Sequence, residues 1–78
     1  SDREEEIAAW VEGLGFEHAW HYAPVLADAG WTKETLEVSL SSLPTNLIEL
    51  AIARLASTIE MQQALSQINT SITRMSDL

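Results

Sequence analysis

Apolar residues recur along this chain at intervals of three and four, the period of a helix, and no stretch alternates apolar and polar residues long enough to be a strand. Ile7, Trp10, Val11 and Leu14 form a first stripe while Glu5, Glu6 and Glu12 face water. Asp2, Glu4, Glu5 and Glu6 sit in the first turn, where the macrodipole favours acids, and Ser1 with Glu4 has the spacing of a capping box. Gly13 and Gly15 flank Leu14 and end this helix.

A second helical segment, residues 16–29, carries Phe16, Ala19, Trp20, Ala23, Leu26 and Ala27, with Pro24 inside it. Proline removes a backbone donor and clashes with the preceding turn, so the pattern predicts either a kink near residues 21–23 or a new helix with Pro24 in its first turn. Gly30 suits a helix C-terminus and Trp31 opens a short loop. Thr32 is the N-cap expected for a third helix bearing Leu36, Val38, Leu40 and Leu43, which Pro44 stops. Asn46 and Glu49 read as a further capping box for the longest helix, with Leu47, Ile48, Ala51, Ile52, Leu55 and Ile59 on one broad face.

Beyond Ser57 the side chains become Gln, Ser, Thr and Asn, and Met61, Leu65, Ile68, Ile72 and Met75 recur at spacings of four, three, four and three. That is a heptad seam, out of register with Ile48, Ile52, Leu55 and Ile59, since the next positions of the earlier seam are Gln62 and Ser66. A narrow seam on a polar helix either packs along the domain or pairs with another chain. The pattern divides the chain into a helical domain over residues 1–57 and a helical extension over residues 58–78.

Composition narrows the picture to one small domain. Its 78 residues bury roughly 60–65% of the unfolded surface, so stability is modest. With no Cys, packing has to hold the fold without disulfides or thiolate-bound metal. No apolar run reaches the roughly 20 residues of a membrane span, and we expect a soluble, cytoplasmic module. Ser1 in place of an initiator Met leads us to expect a segment of a longer protein.

The formal net charge is −8, and residues 1–37 hold nine acidic side chains against Arg3 and Lys33. Such a surface repels nucleic-acid phosphates and suits a basic protein partner.

Catalytic chemistry finds no constellation. His18 and His21, with Glu17 and Asp28, are the most metal-like group, yet no four-ligand zinc spacing is present and no metal or other cofactor is expected. A catalytic carboxylate pair needs a cleft that holds it at a fixed separation, for which a chain this small offers little room; the hydroxyls lack a nucleophile motif, and the three glycines make no phosphate loop. Trp10 and Trp20 fall on apolar stripes and are expected in the core, whereas Trp31 either plugs the core or anchors an interface.

Taken together, Trp10-Val11-Glu12-Gly13-Leu14-Gly15-Phe16, Tyr22 and Leu26, Ala29-Gly30-Trp31-Thr32 leading to Leu36, Leu40 and Leu43, and a long closing helix resemble a sterile alpha motif (SAM) domain from Ile7 to Ala56. The resemblance implies an all-α bundle of four to five helices acting as a protein-interaction and oligomerisation module, a scaffold or signalling adaptor without catalytic residues. The family's basic end-helix start reads Thr45-Asn46-Leu47-Ile48-Glu49 here, so the implied partner surface is the acidic middle of the chain: Asp28, Trp31, Glu34 and Glu37. Self-association is expected through Met61, Leu65, Ile68, Ile72 and Met75. Leu14-Gly15-Phe16, Leu26, Gly30 and Leu36 to Leu40 also resemble a ubiquitin-associated domain, which implies the alternative of ubiquitin binding through the Gly15-Phe16 loop.

Overall fold

The computed structural model describes residues 2–77 and contains four helices: α1 (Asp2–Gly13), α2 (Ala19–Asp28), α3 (Lys33–Leu40) and α4 (Thr45–Ser76). The protein is an all-α bundle with a long C-terminal helix. The expected Ser1 cap lies outside the described residues.

α2 is the central element and packs against both α1 and α4, while α3 rests on α1. The core is built from Ile7, Ala8 and Val11 of α1, Ala19, Ala23, Leu26 and Ala27 of α2, Leu36 of α3, and Ile52 and Ile59 of α4. Three of the four core residues of α2 are alanines, which let the neighbouring helices approach closely. Trp10, Phe16, Tyr22, Val25, Trp31, Leu40, Ile48 and Leu55 pack around this centre, partly exposed.

Two loops close in the same way. After α1, the N–H of Gly15 donates to the carbonyl of Glu12 at 2.9 Å and that of Phe16 to Val11 at 3.5 Å. After α2, Gly30 donates to Ala27 and Trp31 to Leu26, both at 3.0 Å. These are paired Schellman closures, with the glycine at C′ and an aromatic residue at C″. The left-handed conformation belongs to Gly15 (φ 88) and Gly30 (φ 95), while Gly13 is the last residue of α1.

Several expectations are corrected. Of the two alternatives for Pro24, a new helix opening there is overturned: α2 starts at Ala19 and runs through it to Asp28. The cost is one missing bond, to the Trp20 carbonyl. Phe16 to His18 lie outside the helix, and His18 serves as its N-cap at φ 66 without a side-chain cap bond. Trp20 is 55% exposed rather than in the core, because it sits about 100° round the helix from Ala19, at the edge of the buried face. Val38, on the solvent side of α3, is 78% exposed, and Leu47 also lies exposed at the start of α4.

The Thr32 cap is present and complete. Thr35 N donates to Thr32 Oγ1 at 3.1 Å and Thr32 N donates to Thr35 Oγ1 at 2.8 Å, with Thr35 in the role usually taken by Glu or Gln. The Asn46–Glu49 capping box is absent: α4 begins two residues earlier, with Pro44 as N-cap and no side-chain cap bond. Pro44 stays extended at ψ 148, and Asn46 is consumed within the first turn.

Candidate functional site

Two surfaces draw the candidate residues together. The first is an open groove of about 660 Å³ between α1 and α3, lined by Ala9, Trp10 and Leu14 together with Glu6, Lys33, Glu34 and Glu37. The Thr32 cap fixes the start of α3, and buried Leu36 pins that helix against the core, so Lys33, Glu34 and Glu37 are presented towards α1. Lys33 Nζ lies 3.6 Å from a Glu37 carboxylate oxygen, an i,i+4 pair with both side chains partly exposed. Such a pair contributes about 0.3–0.5 kcal/mol and leaves the groove with an excess of carboxylate.

Of the four residues expected at an acidic partner surface, this groove gathers Glu34 and Glu37. Asp28 is exposed at the end of α2, and half-buried Trp31 packs against the core after its Schellman closure, so neither lines the groove. Glu6, Trp10 and Leu14 complete it instead. Their spacing marks one side of α1 in the sequence, but that α3 faces this side follows from tertiary packing alone.

The second surface is the solvent side of α4. Met61, Leu65, Ile68, Ile72 and Met75 are each more than half exposed, between 54% and 70%. Ile59 is the last buried residue of the helix, and every described residue after it is exposed. Met61 follows Ile52 by about two and a half turns at 3.6 residues per turn, which puts the tail seam on the side of α4 opposite the one that the bundle covers. The bundle's own helices therefore leave this seam open.

Elsewhere, His18 Nε2 stands 3.8 Å from Glu17, while His21 makes an edge contact with Tyr22 at 5.6 Å between ring centroids. In the Leu14-Gly15-Phe16 loop, Phe16 is half-buried against the core and Leu14 faces the groove. No helix among the described residues is long and apolar enough to cross a membrane. No protein-family model, curated protein or solved structure matches this chain.

Proposed function

We propose that this chain is a non-catalytic protein-interaction and oligomerisation module, a SAM-like cytoplasmic scaffold or adaptor domain. Its α4 extension self-associates and its acidic α1–α3 groove receives a basic segment of a protein partner. The observation that carries the reading is the exposed seam from Met61 to Met75, turned away from the bundle. Folded monomers seldom leave a strip of this length in water, because covering apolar surface yields roughly 25 cal/mol per Å². The order of three short helices and a long closing helix supports the SAM-like part of the reading.

Light scattering over a range of concentrations tests it, using the full chain and Ile68→Glu. Association is expected for the unaltered chain and a monomer for the variant. A full chain that stays monomeric up to hundreds of micromolar overturns the oligomerisation reading.

A further inference from the structure

We infer that the outward seam of α4 pairs with the same seam of a second copy in the antiparallel sense, about a two-fold axis passing between Ser66 and Gln67. The inference rests on the self-association reading above and names both the occupant and its register. Followed back towards the bundle, the heptad of the tail passes through Thr58, Arg54, Ala51 and Leu47. Arg54 thus holds a core position of the seam, one heptad before Met61, and is exposed in the single chain.

A parallel pair in register sets each seam residue against itself, and so places Arg54 beside the Arg54 of the second copy in an apolar layer. Like charges brought together out of water are strongly unfavourable. An antiparallel pair alternates the two heptad positions instead. It sets Met61 against Ile72, Leu65 against Ile68 and Thr58 against Met75, each layer occurring twice. In this register Arg54 lies at the end of the other copy's α4, where the last carbonyls and Asp77, the C-cap residue, offer negative charge next to Arg74 of the last turn. The one cation in the seam is thereby kept apart from its own copy and set at a helix C-terminus.

The flanks agree. Gln62, Asn69 and Ser76 border the seam on one side, and Ser57, Ala64 and Ser71 on the other, all uncharged. Nothing in them selects a charged foreign helix, and the antiparallel register brings Gln62 near the Asn69 of the second copy, amide to amide. Five side chains each exposing roughly 100 Å² amount to roughly 1,000 Å² over two copies, the lower bound of a specific interface. The arrangement also holds the two acidic bundles at opposite ends of the paired helices.

The chain contains no cysteine, so a single spin label can be placed at Glu49→Cys, exposed on the bundle end of α4. In the antiparallel pair the two labels lie about 55 Å apart by helix rise; in a parallel pair they lie about 20 Å apart. A dipolar distance near the long value is expected. The short distance in an associated sample overturns the antiparallel register while sparing self-association, whereas a monomer by light scattering overturns the reading on which the register rests. Arg54→Leu gives an independent readout: it is expected to leave association unchanged or weaker, and a tightening of tenfold or more, the response of a relieved Arg54 pair, overturns the proposal.

Discussion

The N–H of Trp31 donates to the carbonyl of Leu26 at 3.0 Å, back across Gly30, and so seals the end of α2 while folding an indole onto the core. Phe16 stands in the same relation to Val11 at the end of α1. One local device, used twice, reverses the chain and supplies aromatic packing at each corner. Both depend on a glycine at positive φ.

Gly30→Ala is therefore expected to cost about 1–2 kcal/mol, the penalty of a side chain in the left-handed region. A Cβ there meets nothing within 4 Å, so the loss is conformational and not steric crowding. For a domain of this size thermal melting should fall by about 4–8 °C per kcal/mol. Gly13→Ala, in the last turn of α1 and equally open, should instead raise the midpoint, as Ala restricts the unfolded chain.

Thr32→Ala removes the side-chain acceptor for Thr35 N and should destabilise the fold by about 0.5–2 kcal/mol in a denaturant titration. Asn46→Ala serves as its contrast. Asn46 makes no cap bond, so its replacement should stay within about 0.5 kcal/mol of the unaltered chain.

Two isoleucines of the same helix should behave oppositely. Ile52 is fully buried against the bundle, and Ile52→Ala should cost about 2–5 kcal/mol of stability. Ile68 is 54% exposed; Ile68→Ala should leave unfolding of the dilute chain within about 0.5 kcal/mol and weaken association in light scattering.

For the groove, a short Lys- and Arg-rich peptide titrated against the chain should bind more weakly as salt rises, because the contacts are screened. The double variant Glu34→Gln, Glu37→Gln should lose several-fold in affinity by calorimetry, while Asp28→Asn, outside the groove, should change it little. Equal losses from both variants would show that overall charge, and not the groove, attracts the peptide.

Helix content and the turn glycines are legible in the chain because they depend on neighbours in sequence: a period of 3.6, a Thr cap and a Gly followed by an aromatic residue are all local. The start of α4 departs from its sequence signature for a related reason. Asn46 and Glu49 resemble a cap, yet extended Pro44 already ends the loop two residues sooner. Trp20 lies outside the core because an apolar stripe does not say how wide the buried face is, and three alanines suffice to fill the α2 side of the core.

By itself, then, the sequence determined an all-helical chain, its closures, an acidic first half and a tail seam out of register with the one before it. Only the tertiary structure decided that α3 covers α1 to bring Glu6, Trp10, Glu34 and Glu37 to one groove. It also decided that α2 takes the Ile52 side of α4 and leaves the Met61 side in water. Periodicity fixes angles around a helix axis, whereas which angle is buried depends on the helices that arrive from elsewhere in the chain.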